Sequence, residues 1–532
     1  GAPTSCPGVS IAETLTPFQI HQDVRYDAFY AQDQWTLGRV TVQAALRYDH
    51  AWSYFPDESI GGVRFFPGQL NFSQNDPTYS TASTALCGPT AAQGATPTSG
   101  QVPFGFTGTC INNVTGYNDL SPRAGVAWDV RGDGKTSVKV SMGKYLEAAA
   151  SLNGVFVAGN PVNRLPTSVT RSWNDSNHNY SPDCVLENPL ANGECGQISN
   201  LAFGTPFFTN SFDSNLMGGW GVRPSDWGIV ASIQQQLVAR TSVEINYTRR
   251  WLENFVTTDN LLQPASTFAP FTIAAPSDSR LPGGGGYTVG TASQPLYNVA
   301  QNVASLTNNF TTLASNFGSQ YQHYNGILMN VQSRLRNGLT LSGGFNMGDT
   351  VSDSCAIRSQ LPGLTGASTE TAAPAITASN PWCHVDTGWV YRITGLGTYV
   401  VPKVDVLFST TFRSDQGGML AANYTIPFAL AQAGGLSHAY SNGISPSVNL
   451  VQPGTLYGDR VNELDFKLAK VLRFARTKTT VGLEVYNALN AASILTYNQT
   501  FNPAVPAGPG GWLQPTQVMT PRFFKFTAQF DF

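Results

Sequence analysis

The chain has 532 residues, of which 12% are Asp, Glu, Lys or Arg and 11% are aromatic, and its formal net charge is -3 at pH 7. This low charge, without a basic stripe between stacking aromatic residues, argues against nucleic acid as a partner. No run approaches the roughly 20 apolar residues of a membrane-spanning helix. The strands of a transmembrane barrel need no such run, because every second residue faces water.

Apolar and polar residues alternate in many stretches along the chain, and this period of two predicts β-strands. The first stretch covers residues 24–36, the second begins at Val40, and similar patterns surround Val140, Ile245, Leu341 and Phe466. In the last stretch, one face carries Phe524, Phe526, Ala528, Phe530 and Phe532. We expect roughly thirteen strands, and the density of aromatic residues on one face is typical of contact with lipid.

Two kinds of connection alternate between these strands. Short polar turns lie at residues 37–39, 131–135, 238–240, 336–338, 401–403 and 476–478. Long segments rich in Gly, Pro, Asn, Ser and Thr include residues 52–118, 252–321 and 416–459. This asymmetry predicts an all-β fold, a transmembrane antiparallel β-barrel with short periplasmic turns and long extracellular loops. A propeller or sandwich is the alternative, but it predicts short loops on both sides and an internal repeat.

The odd strand count indicates an incomplete barrel, because bacterial single-chain barrels usually have an even number of strands. If the last strand ends in the periplasm, alternation makes the first strand run towards the periplasm as well. Residues 1–23 then belong to an extracellular loop, and residues 1–532 form one barrel domain. There is no secretory signal peptide at the N-terminus, as in a mature or truncated chain.

All seven cysteines lie in the predicted extracellular loops. Within single loops they form the candidate disulfides Cys87–Cys110, Cys184–Cys195 and Cys355–Cys383, which indicates an oxidising compartment. Cys6 is left over; its partner lies in a preceding segment, or it is a free thiol.

Several blocks of sequence resemble one family. They are Tyr30–Trp35, Leu46–Asp49, Asp119–Gly125, Gly132–Thr136, Arg223–Trp227, Arg249–Trp251, Asp459–Asp465, Val485–Asn490 and Pro521–Phe524. In order and spacing they resemble the C-terminal barrel portion of TonB-dependent outer-membrane receptors. The resemblance is to the Oar-like group, which carries an N-terminal carboxypeptidase-regulatory-like domain.

The resemblance implies a barrel of about 22 strands around a plug domain, of which this chain holds the C-terminal portion without plug or N-terminal domain. It further implies a Gram-negative outer-membrane location, contact with lipid and lipopolysaccharide, and a TonB-type energy-coupling protein engaged through the N-terminal part. The leading function is energised import of a bulky substrate captured by the extracellular loops. The alternatives are a surface-exposed binding, assembly or protein-export component, and a passive porin. Substrate, transport direction and oligomeric state are not predicted.

One loop motif suggests a metal. Asp175, Asn177, Asn179 and Asp183 place oxygen atoms at positions 1, 3, 5 and 9 of a calcium-binding loop. The motif departs from the EF-hand pattern, because Tyr180 stands at the sixth position instead of glycine and Leu186 at the twelfth. The alternative to structural calcium is an Asx-rich turn without metal. We predict no other cofactor.

Charged residues on the polar faces of the strands are expected to line the barrel interior. They are Arg47, Asp49, Lys139, Glu244, Arg250, Glu463, Asp465, Lys467 and Glu484. They either hold a plug and guide solute or simply hydrate the interior. The six histidines are scattered, with no nucleophile motif nearby, so we predict no enzymatic activity and no catalytic residues.

Overall fold

The computed structural model describes most of the chain. The described ranges are residues 9–15, 23–54, 58–72, 115–148, 165–204, 210–213, 215–216, 218–304, 306–335, 338–364, 378–443, 445–474 and 477–531. Cys6, Cys87 and Cys110 lie outside these ranges, as do parts of the predicted turns at residues 336–338 and 476–478.

Among the described residues, thirteen long strands form one antiparallel sheet in which each strand pairs with the next long strand in the chain. Their bounds are β1 Asp23–Leu37, β2 Val40–Tyr54, β3 Thr115–Asp129, β4 Thr136–Leu146, β5 Ser225–Val238, β6 Thr241–Glu253, β7 Tyr321–Arg334, β8 Leu339–Asp353, β9 Val390–Val401, β10 Val406–Asp415, β11 Val461–Phe474, β12 Thr477–Tyr486 and β13 Phe523–Asp531. The predicted strand number and all-β class are confirmed.

The remaining described elements lie in the long connections, except for Val9–Thr14, which precedes β1. Short strands cover Val9–Thr14, Glu58–Val63, Phe66–Phe72, Ser168–Trp173, Asn210–Phe212, Gly218–Trp220, Val256–Asn260, Phe268–Phe271, Ile273–Ala274, Thr288–Val289, Leu296–Val299, Asn309–Leu313, His384–Asp386, Asn423–Thr425, Ser447–Asn449, Ile494–Tyr497, Thr500–Phe501 and Pro515–Val518. Helices α1 Cys355–Gln360 and α2 Phe428–Ala433 are single short segments. Short 3-10 turns cover Ala265–Thr267, Pro282–Gly284, Ala314–Asn316 and Ser441–Gly443. In the described part of the chain, every helix is too short or too polar to cross a membrane.

The tight turns follow from residues that accept a left-handed backbone. Gly38 has φ 58° between β1 and β2. Between β3 and β4, Gly132 and Gly134 have φ 76° and 71°, and the Asp129 carboxylate accepts hydrogen bonds from both of their amides at 2.9 Å. Because glycine adopts positive φ without steric cost, these positions close the hairpins at the predicted places.

The sheet has one apolar and one polar face. On the apolar face, Tyr399, Phe408, Leu468, Leu483 and Phe526 are cross-strand neighbours from β9 to β13. The Phe526 residue is 82% exposed, and Leu468 is 51% exposed. Phe408 is also exposed, whereas Tyr399 and Leu483 are half-buried. A row of large apolar side chains across five strands, three of them exposed, is expected where a sheet borders hydrocarbon.

Tryptophans mark both ends of the apolar face. Trp35 and Trp128 lie near the short turns, opposite Val42 and Val40 of β2 respectively. At the other end, Trp227 and Trp251 stack with ring centroids 6.4 Å apart. Two aromatic belts on either side of an apolar band are typical of strands that cross a bilayer.

The two edges of the sheet run in the same direction. In an antiparallel order of thirteen strands, β1 and β13 are parallel to each other. Within the described ranges, β1 pairs with β2 alone and β13 with β12 alone. A purely antiparallel barrel therefore needs an odd number of further strands between these edges.

Candidate functional site

The long connections after β6, β8, β10 and β12 pack against one another. We call the described residues of these segments, 254–320, 354–389, 416–460 and 487–522, the loop cap. Its buried core is made of Phe271, Ile273, Ala275, Leu281, Val289, Leu296, Ala422, Tyr424, Ile426, Ala431, Leu436, Tyr440, Val448, Leu450, Val451, Phe501 and Trp512. Three connections contribute to this core, so the loops form a folded unit with its own hydrophobic interior.

Polar contacts between different loops reinforce this core. The Arg280 guanidinium donates to the Val505 carbonyl at 2.7 Å and lies 5.2 Å from the centre of the Phe501 ring. Its hydrogen bonds to the Asp278 carboxylate lower the pKa of that group to about 2. Trp382 donates its indole N–H to the Asn449 carbonyl at 2.8 Å. The contacts of Arg280 with Val505 and of Trp382 with Asn449 join segments far apart in sequence, so the relative positions of the loops are fixed.

Arg358 of α1 joins the loop after β8 to the loop after β6. It is buried, donates to the carbonyl oxygens of Pro295 and Ala378 at 2.7 and 3.1 Å, and lies 5.0 Å above the ring of Tyr297. Burial lowers the pKa of Arg358 to about 10. The Cys355–Cys383 disulfide closes the same loop.

We expect Trp512→Ala to loosen the loop cap while leaving the large sheet intact. The Trp512 ring meets Phe501 edge-on at 5.4 Å, and its N–H donates to the Ala421 carbonyl at 2.8 Å. Truncating a buried tryptophan typically costs about 3–5 kcal/mol. Hydrogen exchange should therefore accelerate at residues 423–426 and 447–451 and stay unchanged in β11 and β12. Leu495→Ala, at an exposed position of the same connection, is the control, and equal exchange in the two variants would contradict the prediction.

A second loop unit surrounds Arg171. The strand Val9–Thr14 pairs with Ser168–Trp173, and this pairing brings the Glu13 carboxylate to 3.3 Å from the Arg171 guanidinium. Both side chains are buried, at 3% and 0% exposure. Arg171 also donates to the carbonyl oxygens of Leu186, Asn188, Leu190 and Gly196. The segment that contains the Cys184–Cys195 disulfide therefore wraps around one buried cation.

The predicted calcium-binding residues do come together in this unit. The Asn177 and Asn179 side-chain amides both donate to the Asp183 carboxylate, and the backbone amides of Asn179 and Tyr180 donate to Asp175 at 3.1 and 3.2 Å. Tyr180 adopts φ 59°, the left-handed conformation for which the EF-hand uses glycine at that position.

Calcium binding by Asp175, Asn177, Asn179 and Asp183 stays a prediction. Their polar atoms are already hydrogen-bonded to one another and to the backbone, as in an Asx-rich turn. Within the described ranges, no group of three or more His, Cys, Asp or Glu residues is arranged to hold a metal. The Glu194 carboxylate accepts hydrogen bonds from Ser176 and from the Trp173 indole N–H in the same loop. These hydrogen bonds lower the pKa of Glu194 to about 2. Titration of the purified protein with CaCl₂ distinguishes a calcium site from an Asx-rich turn without metal. A calcium site predicts binding that Asp183→Asn weakens, and a turn without metal predicts no binding in either protein.

The charged residues predicted for the interior share the polar face, and most pair within the sheet. Ion pairs join Arg47 to Asp49 at 2.8 Å, Arg250 to Asp226 at 2.7 Å, Arg413 to Glu463 at 2.8 Å and Lys467 to Glu484 at 2.7 Å. Lys139 donates to Gln234 at 3.3 Å, Glu244 faces Gln234, and Asp465 accepts from the Asn487 amide at 2.8 Å. A role for these residues in holding a plug or guiding solute stays a prediction.

Two of the three disulfides predicted from the sequence lie in the described residues, whereas the two buried arginines were not predicted. Cys184–Cys195 and Cys355–Cys383 are formed as predicted. Arg171 and Arg358 were not identified from the sequence, because their partners are mostly backbone carbonyls that no motif specifies. The available signal was that Glu13 and Arg171 each occupy the face of a short alternating stretch that otherwise carries apolar residues, Val9 and Ile11 in one stretch and Val169 and Trp173 in the other.

A family model described as outer membrane beta barrel domain matches residues 1–370. No curated protein matches the chain. Among solved structures, the outer membrane transporter YddB from Escherichia coli aligns over 95% of this chain and 54% of its own, with 9% identity and a TM-score of 0.40. The FrpB iron transporter from Neisseria meningitidis aligns over 96% and 46%, with 10% identity and a TM-score of 0.43. The chain thus spans about half the length of these structures, and such distant likeness assigns no function.

Proposed function

This chain belongs to the outer membrane beta barrel domain family, and from that premise we propose that it is the barrel portion of an importer that captures a bulky ligand with its loop cap. It is located in the Gram-negative outer membrane. The observation that carries the proposal is the division of the molecule: an apolar face for lipid, a polar face of paired charges, and a folded loop cap at one end. A passive pore needs no such cap, whereas a receptor needs a preformed surface on which to bind its ligand.

We further propose that the barrel is completed by strands outside this sequence. The support is the parallel direction of the edge strands β1 and β13, which cannot close an antiparallel sheet on each other. Nine additional strands would give the 22 expected of a TonB-dependent receptor, which also contains a plug and a segment for the energy-coupling protein. Assignment to the Oar-like group rests on blocks such as Asp459–Asp465 and belongs to the same proposal.

The test compares cells with and without the full-length protein in a defined mixture of peptides and oligosaccharides. We expect a component of the mixture to be depleted by cells that carry the protein, and we expect depletion to stop when the energy-coupling protein is deleted. Depletion that continues without energy coupling, with steady single-channel conductance of the purified protein, would mean a porin. Capture at the surface without depletion would mean a binding or assembly component.

A further inference from the structure

The end of the large sheet that carries the short turns has an excess of positive charge, and we call this end the turn rim. Five exposed cations lie in or directly beside its turns: Arg39, Arg131, Arg240, Arg334 and Lys403. Within the described ranges, none of the five forms an ion pair with a carboxylate. Because clustered basic residues at a membrane surface attract anionic headgroups, the turn rim is a candidate anion-binding surface.

Three carboxylates of the turn rim already have other partners. Asp133 pairs with Lys135 at 3.4 Å, and Asp405 pairs with Arg473 at 3.5 Å. The Asp129 carboxylate accepts the backbone amide hydrogen bonds that close the turn between β3 and β4. These three groups therefore do not neutralise the five cations.

Arg240 and Arg334 form the densest point of this positive charge. The Arg334 amide donates to the Arg240 carbonyl at 2.9 Å, so the two arginines are neighbours on adjacent strands. Residues 235–243 and 331–342 contain no Asp or Glu, and Arg336 adds a further cation to the second segment. Like charges next to each other across a sheet are destabilising, and an anion bound between them removes this repulsion.

The backbone conformation of two turns supports a role for their cations. Arg240 has φ 66° and Lys403 has φ 67°, both in the left-handed region. Glycine adopts this conformation without steric cost, whereas a residue with a side chain is disfavoured there. A cation at such a position is expected if its charge contributes to binding.

Exposed apolar side chains beside the cations indicate that the anion belongs to a lipid. Leu37, Val238, Leu335 and Val404 each lie within two residues of one of the five cations, and all four are exposed. They lie at the same end of the sheet as Trp35, in the aromatic belt expected at a membrane–water interface. A soluble anion would leave these apolar side chains in water, whereas a lipid covers them with its acyl chains.

We propose that the turn rim binds an anionic phospholipid, with the headgroup phosphate at Arg240 and Arg334 and the acyl chains against Val238 and Leu335. The guanidinium group presents a planar fork of N–H donors that matches the oxygen atoms of a phosphate. A headgroup with a net negative charge compensates the two arginines, whereas a zwitterionic headgroup brings its own cation. The inference is independent of import and of the loop cap, because it requires only that the large sheet crosses the membrane.

The test uses the full-length protein, purified from outer membranes and stripped of lipid, with two probes of identical acyl chains, phosphatidylglycerol and phosphatidylcholine. Native mass spectrometry measures the affinity for each probe. We expect phosphatidylglycerol to bind roughly tenfold more tightly at its strongest site. The double variant Arg240→Gln/Arg334→Gln should lose most of this preference, and Arg240→Lys/Arg334→Lys, which keeps both charges, should retain most of it.

The matched control is Arg25→Gln/Arg64→Gln. It also removes two exposed arginines, but these lie outside the turn rim and pair with Asp27 at 3.6 Å and with Glu187 at 2.6 Å. Because their charges are already compensated, the preference for phosphatidylglycerol should be unchanged. Heat-modifiable mobility on gels shows that each variant has folded before its lipid affinity is compared.

Equal affinity for the two lipids, or an unchanged preference in Arg240→Gln/Arg334→Gln, would overturn the proposal. Binding to purified peptidoglycan that this double variant abolishes, without a preference between the lipids, would assign the cations to a soluble anionic polymer and overturn it as well. A preference for phosphatidylglycerol in a protein without energised uptake would refute import and leave the lipid site standing.

Discussion

Replacing Leu468 by arginine is expected to prevent stable insertion of the protein into a bilayer. Leu468 lies in the middle of β11, exposed on the apolar face between Phe408 and Leu483. An arginine on the lipid face of a barrel costs roughly 2–4 kcal/mol at the bilayer midplane, a large part of the usual 5–15 kcal/mol of net stability. The fraction of protein that folds into lipid vesicles, measured by its heat-modifiable mobility on gels, should fall sharply.

The control is Thr480→Arg on the neighbouring strand β12. Thr480 belongs to the polar face, two residues from Gly482 and four from Glu484, so its side chain meets water instead of lipid. We expect near-normal folding for this variant. If both arginines impaired folding equally, the assignment of the two faces to lipid and water would be wrong.

The faces of the large sheet were predictable because the signal is local. In β11, Leu464, Phe466 and Leu468 alternate with polar residues, and the register places them beside Phe412, Thr410 and Phe408 of β10. A period of two read within one segment already determines which side chains share a face. The ends of the strands are predicted less accurately than their faces. The first strand, expected at residues 24–36, extends over Asp23–Leu37.

The loop cap was not predictable by the same reasoning. Phe271, Leu450 and Phe501 meet in one core although more than 200 residues separate the first from the last. Their segments show no sustained alternation, so nothing in one loop indicates which other loop covers its apolar residues. The disulfides were found because both cysteines of each pair belong to a single loop.

Arg171→Leu is expected to unfold the loop unit around the Cys184–Cys195 disulfide. Arg171 makes five hydrogen bonds, one to Glu13 and four to carbonyl oxygens at residues 186–196. Its removal leaves the Glu13 carboxylate buried without a counter-charge and four carbonyl groups without this donor. Breaking a buried ion pair from one side typically costs about 3–5 kcal/mol. Hydrogen exchange of residues 173–200 should increase strongly, with β5 and β6 unchanged.

Two comparisons isolate the cause. Arg64→Ala breaks the ion pair between Arg64 and Glu187 in the same region, but both side chains are exposed and screened by water, so hydrogen exchange is expected to change little. Adding Glu13→Leu to Arg171→Leu removes the uncompensated charge and should recover part of the lost protection, because a buried pair replaced on both sides is tolerated better than a broken one. A double variant as unprotected as Arg171→Leu alone would assign the effect to the lost carbonyl contacts, and a single variant with normal exchange would refute the organising role of Arg171.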